Sequence, residues 1–160
     1  ITILLEPLNC YEAYPQVLTS VHNAIQIIEA SGLDSIGIQP DVFHMNVAES
    51  SMTDALRAAG EYVKHVHLNE TNHYALGTGH ADYPAIIRAL KDIGFDGYLA
   101  IYMPYVSQEL FHLSGGYGAD RGLYAKISKP DLRPYLEWPI NYLKQIETMI
   151  DREREIYEKG

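Results

Sequence analysis

The 160-residue sequence (18.0 kDa) is long enough for one globular domain, and its 47% hydrophobic and 21% charged residues exclude a disordered or collagen-like chain. A net charge of −9 gives no electrostatic attraction for nucleic acid or an anionic membrane surface. No run approaches the ~18 consecutive apolar residues of a membrane span. The single cysteine, Cys10, excludes an intrachain disulfide framework and favours a reducing, cytoplasmic setting.

Predicted strands and helices alternate along the chain. Short apolar stretches ended by turn residues predict four strands, at residues 1–5, 35–39, 62–68 and 98–102. Apolar residues at helical spacing, most of them followed by a glycine, predict helices at 14–30, 51–59, 83–92 and from 131 onward. Because the chain opens within an apolar strand, we expect it to begin part-way through a longer polypeptide, or to be one piece of a barrel made from two chains.

This alternation predicts a parallel sheet covered by helices, an α/β fold. The strands are almost continuously apolar, which is typical of parallel strands buried on both faces. Two architectures satisfy the pattern: an open doubly wound sheet and part of a closed (β/α)8 barrel. The glycine motif of dinucleotide-binding sheets does not follow the first strand. The glycine-rich stretch at residues 113–122 is predicted to be a mobile loop.

Polar side chains stand where the predicted strands end. Glu6 ends the first strand, Asp41 and His44 follow the second, and His67 lies near the end of the third. In a barrel these positions share the C-terminal rim, where active sites are built. Two carboxylates and an imidazole form a ligand set suited to Mn²⁺, Mg²⁺ or Co²⁺. We expect His65, on the same strand as His67, to face the covering helix instead.

Three short motifs and a glycine turn resemble those of one known family. They are LEPLNCYE at residues 5–12, DVFHMN at 41–46, HVHLNETN at 65–72 and GTG at 77–79. In this order and spacing they resemble the second half of the xylose-isomerase-like sugar isomerase and epimerase family, the D-tagatose/D-psicose 3-epimerases in particular. The resemblance implies a (β/α)8 barrel in which residues 1–105 supply strands five to eight. Residues 106–160 would then be a loop and C-terminal helical extension of the same domain.

The resemblance also implies roles for individual residues. Glu6 would be a metal ligand and a catalytic carboxylate, Asp41 and His67 would be further metal ligands, and Glu12 and His44 would contact the sugar hydroxyls. The cofactor would be a divalent metal, with Mn²⁺ favoured and Mg²⁺ or Co²⁺ as alternatives. In the family the metal chelates two oxygens of an open-chain ketose, and carboxylates remove and return the proton on the carbon between them.

The sequence departs from the family pattern at three positions. Tyr102 stands where the family has a glutamate at the end of the last strand, which serves as fourth ligand and second base. The nearest acid, Glu109, lies seven residues further on. Cys10 and His73 replace two arginines of the family, and we expect His73, in a loop, to be solvated.

Two functions from different classes follow from these residues. The favoured one is a metal-dependent ketose isomerase or epimerase acting on a small-molecule sugar; the alternative is a non-catalytic barrel protein with a binding or regulatory role. A third candidate, a relative of metal-dependent abasic-site endonucleases, needs more ligands than the sequence offers, and its DNA substrate disagrees with the net charge of −9. We expect no nucleic-acid or membrane partner, and either a homo-oligomer or completion by a missing N-terminal half.

Overall fold

The computed structural model describes residues 1–12, 16–102 and 133–159. Four strands and five α-helices lie along these residues, with two helices in succession between the second and third strands. The strands are β1 (Ile3–Leu5), β2 (Ile36–Ile38), β3 (His65–Leu68) and β4 (Tyr98–Ile101). The helices are α1 (Val21–Ser31), α2 (Val42–Ala48), α3 (Met52–Ala59), α4 (Tyr83–Asp92) and α5 (Arg133–Glu158). The loop predicted at 113–122 and Glu109 lie outside the described residues.

All four strands run parallel. β1 pairs with β2, and β3 pairs with β4. Two isolated bridges, Ile38 with Val63 and Asp41 with His67, join the pairs. Across this seam, Lys64 N–H donates to the Ile38 carbonyl and His67 N–H donates to the Pro40 carbonyl, both at 3.0 Å. The strands therefore lie in the order β1-β2-β3-β4, and the predicted parallel sheet is confirmed.

Capping residues set the helix boundaries. The Ser20 hydroxyl accepts from the Asn23 N–H and starts α1, so this helix begins later than the predicted residue 14. Gly32, with φ of 63°, ends it in the left-handed conformation that glycine adopts without strain. The Asp82 carboxylate caps α4, whose bounds match the predicted 83–92. The Ser51 side chain accepts the Asp54 N–H and caps α3.

One helix was not predicted. Asp41 ends the β2 segment, but its carboxylate also accepts from the His44 N–H and so starts α2. The structure also places a 3-10 turn over Gly60–Tyr62, and β3 consequently begins at His65 rather than at residue 62.

The two faces of β3 differ in character. Val66 and Leu68 are fully buried in the core between the sheet and the helices. His65 and His67 lie on the opposite face, with ring centroids 5.4 Å apart. The expectation that His65 faces the covering helix is therefore wrong, because residues two apart on a strand share a face. The polar side chains of β3 therefore lie on the face opposite the hydrophobic core.

The C-terminal helix packs along α4. Ile146 and Ile150 of α5 are buried in the common core. Ion pairs line the same contact: Arg88 with Glu153 at 2.8 Å, Lys91 with Asp151 at 2.6 Å and Asp92 with Arg154 at 2.6 Å. None of the described helices combines the length and apolar character that crossing a membrane requires.

Candidate metal centre

Three side chains from three neighbouring strands meet at the carboxyl ends of those strands. Glu6 follows β1, Asp41 follows β2 and His67 lies in β3. One potential ligand atom from each residue lies within 4.8 Å of the other two. Nδ1 of His67 is 3.0 Å from Glu6 Oε1 and 3.6 Å from Asp41 Oδ2. The structure thus brings together the three residues that the sequence singled out as metal ligands.

Asp41 is held rigidly by its surroundings. Its side chain is fully buried. Oδ1 accepts the His44 N–H at 3.1 Å, and Oδ2 accepts from the Asn69 amide at 2.8 Å. Asn69 in turn accepts the Phe43 N–H at 2.9 Å. Asn69 was not among the residues predicted from the sequence, although a polar residue directly after β3 is the same kind of signal that marked Glu6 and Asp41.

The two carboxylates control the charge of His67. Interaction with Asp41 first and with Glu6 second raises the pKa of His67 to about 9, against partial burial, which lowers it. The imidazole is therefore protonated at neutral pH when no metal is present. A divalent cation would take the place of that positive charge between the same two carboxylates. The donor set of two oxygens and one nitrogen fits such an ion, with positions left open for substrate or water.

His44 lies beside this group but is oriented by a different partner. Its Nδ1 accepts from the backbone N–H of Asn9 at 3.3 Å and from the Asn9 side-chain amide at 2.9 Å. The Asn9 amide is itself oriented, because its Oδ1 accepts the Tyr11 N–H at 3.0 Å. Nδ1 of His44 is thus an acceptor, and its Nε2 carries the proton. This arrangement makes His44 a hydrogen-bond donor rather than a metal ligand.

His73 is buried beside Asp41 and His44, contrary to the expectation that it is solvated. It is 6% exposed, and one of its ring nitrogens lies within 4.8 Å of ligand atoms of Asp41 and His44. Its backbone has a φ of 65°, and its ring stacks on Phe43 with ring centroids 4.1 Å apart. Burial lowers the pKa of His73 to about 4, so this imidazole is neutral at physiological pH.

The loop that carries His73 is anchored by Glu70, a residue that was not predicted from the sequence. Glu70 is 2% exposed. Its carboxylate accepts the backbone N–H groups of Thr71, Gly77 and Ala81 at 3.3, 2.7 and 3.2 Å. Three donors compensate for the burial of this charge. Hydrogen bonds to the Glu70 carboxylate thereby hold separate parts of the loop together.

Tyr102 and Glu12 occupy the margins of the site. The N–H of Tyr102 donates to the Leu68 carbonyl at 2.9 Å, and its ring stacks on His67 with centroids 4.7 Å apart. Glu12 is exposed, in a turn that its N–H closes onto the Asn9 carbonyl. The substrate-binding roles of Glu12 and His44 stay predictions.

Residues 1–126 match the sequence profile of the family described as xylose isomerase-like TIM barrel. The chain belongs to this family. The resemblance noted in the sequence is thereby confirmed, and the parallel sheet described above is part of a xylose isomerase-like TIM barrel.

Relatives within the family include ketose 3-epimerases. The chain is 38% identical to a D-psicose 3-epimerase of Enterocloster bolteae over 104 residues, which cover 65% of this chain and 34% of the relative. It is 30% identical to a D-psicose 3-epimerase of Agrobacterium fabrum over 128 residues, 80% of this chain and 42% of the relative. The crystal structure of D-psicose 3-epimerase from Clostridium cellulolyticum H10 with D-tagatose matches with a TM-score of 0.72 and 25% identity, over 89% of this chain and 48% of that chain.

The chain spans about a third to two fifths of the length of these curated relatives. The similarity therefore concerns one portion of a xylose isomerase-like barrel, the portion that carries Glu6, Asp41 and His67 at its strand ends.

Proposed function

We propose that the complete protein is a divalent-metal-dependent isomerase or epimerase of a small ketose, in which this chain supplies strands five to eight of the barrel. The observation that carries the proposal is the convergence of Glu6, Asp41 and His67 within 4.8 Å at the carboxyl ends of parallel strands. The similarity to ketose 3-epimerases supports the same reaction class. Residues 1–105 would form the barrel portion and residues 106–160 its C-terminal extension.

Glu6, Asp41 and His67 would hold the metal, with Mn²⁺ favoured and Mg²⁺ or Co²⁺ as alternatives. When bound, such an ion polarises the sugar's carbonyl and hydroxyl oxygens and makes the C–H between them more acidic. Glu6 is suited to take that proton, because its side chain is one-third exposed while Asp41 is fully buried. His44 would donate its Nε2–H to a sugar hydroxyl, and Glu12 would contact another.

Tyr102 determines which reaction is better supported. A phenol titrates near pH ~10 and is a poor proton acceptor at neutrality, whereas epimerisation needs a second group on the opposite face of the carbon. A single carboxylate can still move a proton between adjacent carbons on one face. Aldose–ketose isomerisation therefore requires only one proton-transfer carboxylate, whereas epimerisation requires a second proton-transfer group.

Proton exchange in D₂O tests this proposal. The full-length protein loaded with Mn²⁺ should introduce deuterium next to the ketose carbonyl, as followed by proton NMR. Glu6→Gln should abolish the exchange, whereas Glu29→Gln, at an exposed position of α1, should leave it unchanged. Exchange that survives in Glu6→Gln would contradict the role of Glu6.

The second candidate is a metal-containing barrel that binds a sugar without transforming it. The stacking of the Tyr102 ring on His67, at 4.7 Å between centroids, favours this candidate because an aromatic ring covers one side of a proposed ligand. If the protein binds Mn²⁺ but incorporates no deuterium into any ketose tested, the sugar-binding candidate is supported over the isomerase or epimerase.

The assembly is also a proposal. Ile3 of β1 and Tyr98 of β4 are 61% and 79% exposed at the two ends of the described sheet. Exposed apolar residues on edge strands favour further pairing. An N-terminal half of the barrel, or a second copy of the chain, would cover them. The sole cysteine, Cys10, is unpaired and exposed, which supports a reducing, cytoplasmic setting.

A further inference from the structure

Gln39 approaches the proposed ligand His67 from the neighbouring strand. Its side-chain amide nitrogen lies 3.2 Å from Nε2 and 3.5 Å from Nδ1 of the imidazole. Both ring nitrogens are thus within reach of one amide group. Glu6 and Asp41 lie 3.0 and 3.6 Å from Nδ1.

The backbone holds Gln39 at this position. Its N–H donates to the Leu5 carbonyl at 2.9 Å, which ties it to the strand that leads into Glu6. The next residue, Pro40, restricts the backbone of Gln39 to extended conformations. The Pro40 carbonyl accepts the His67 N–H at 3.0 Å, so the backbones beside the two side chains are joined directly.

We infer that Gln39 is a positioning residue for His67: its amide fixes the imidazole in the orientation that presents Nδ1 to the two carboxylates. This inference rests on the proposed metal site. A histidine that binds a metal through one nitrogen carries a hydrogen on the other, and a polar partner there orients the ring. The amide oxygen of Gln39 can accept the Nε2–H that His67 carries both when it is protonated and when Nδ1 binds a metal, because a half-turn of the amide group exchanges its oxygen and nitrogen.

The ring is bounded on both sides by neighbouring strands. Gln39 reaches it from the end of β2, and Tyr102 stacks on it from the end of β4. Stacking by Tyr102 restricts the tilt of the ring but does not depend on where its nitrogens lie. The Gln39 amide forms a hydrogen bond only when a ring nitrogen, rather than a ring carbon, faces it. The hydrogen bond of Gln39 should therefore decide which edge of the imidazole faces Glu6.

Two variants of the full-length protein separate this role from simple packing. Gln39→Met keeps the length of the side chain but removes both polar groups. Gln39→Glu keeps the shape and retains an oxygen that accepts the ring N–H. Gln26→Met, at an exposed position of α1, is the matched control. Mn²⁺ affinity is measured by titration calorimetry, and the ring nitrogens of His67 are followed by ¹⁵N NMR in the Zn²⁺-loaded protein.

We expect Gln39→Met to weaken Mn²⁺ binding about 10- to 100-fold and to shift the His67 nitrogen resonances. Gln39→Glu should bind as tightly as the wild type or more tightly, and Gln26→Met should equal the wild type. If Gln39→Met binds Mn²⁺ with wild-type affinity and leaves the His67 resonances unchanged, the positioning role of Gln39 is refuted, whereas the proposed metal site is not. Absence of Mn²⁺ binding by the wild type would overturn the metal site as well.

Discussion

His67 is the residue on which the contacts of the site converge. Asp41 and Glu6 lie against Nδ1, Gln39 lies beside the ring, and Tyr102 stacks on it. Since its pKa is raised to about 9, the metal-free site holds a positive charge between two carboxylates at neutral pH. A divalent cation at the proposed metal site would therefore compete with a proton for one position.

This competition gives the first prediction. A divalent ion bound through the imidazole displaces its proton, so Mn²⁺ affinity should rise about tenfold per pH unit below the pKa of His67 and level off above it. Calorimetry at pH 7, in buffers of different protonation enthalpy, should show about one proton released per ion bound. A binding constant independent of pH between 6.5 and 9 would contradict the pKa of His67.

The same pKa sets the pH dependence of stability without metal. The folded-state pKa of about 9 lies above the ordinary 6.5, so protonated His67 stabilises the fold fully below pH 6.5. That contribution is lost as the pH rises through 9. His67→Asn should remove this part of the pH dependence, whereas His22→Asn, at an exposed position of α1, should retain it.

Tyr102 gives the second prediction. Tyr102→Glu in the full-length protein adds a carboxylate next to His67, so Mn²⁺ binding should tighten by about tenfold or more. The new carboxylate also supplies a second proton-transfer group, and C3-epimerase turnover should appear or increase. Tyr102→Phe, which keeps the ring, is the control for stacking. A wild type that epimerises ketoses as fast as Tyr102→Glu would show that another acid, such as Glu109, serves the reaction.

The sequence predicts some site residues and misses others for a physical reason. Glu6, Asp41 and His67 could be predicted because each stands where an apolar strand ends. The burial of His73 depends on a left-handed backbone and on stacking against Phe43, thirty residues earlier in the chain, which local patterns do not contain. The position of Gln39 beside His67 depends on strand register, which local patterns do not contain either.

At the scale of elements, predictability follows the strength of the boundary signals. The bounds predicted for the helix at 83–92 match the structure, since Pro84 lies in its first turn and Gly94 follows its end. Helix α2 was missed because its capping residue, Asp41, also ends the β2 segment. A residue that both ends a strand segment and caps a helix leaves no separate sequence signal for the start of the helix.

The third prediction concerns the loop anchored by Glu70. Glu70→Gln replaces one carboxylate oxygen by an NH₂ group, which cannot accept the backbone N–H groups that now reach it. We expect the free energy of unfolding of the metal-free protein to fall by about 1–3 kcal/mol, measured by urea denaturation. Glu29→Gln makes the same chemical change at an exposed position and should have little effect. Equal stabilities of the two variants would contradict the anchoring role.

For the whole molecule, the exposed ends of the sheet lead to the fourth prediction. The 160-residue chain alone should self-associate, because Ile3 and Tyr98 leave apolar surface on its outer strands. Multi-angle light scattering over a range of concentrations measures this. Ile3→Lys combined with Tyr98→Lys should reduce the association, while Gln26→Lys should not. A monodisperse monomer for the unchanged chain would contradict the prediction.

The seam between β2 and β3 has a consequence for local unfolding. Glu6 and Asp41 lie on one side of it and His67 on the other, and two isolated bridges join the sides. An ion bound by all three side chains would link the two sides of the seam and slow the local separation of β2 from β3. The amide hydrogens of Lys64 and His67, which cross the seam, should then exchange with deuterium more slowly after Mn²⁺ is added, while those within α1 should keep their rates. A bound ion would therefore stabilise the pairing of β2 with β3 in addition to its proposed chemical role.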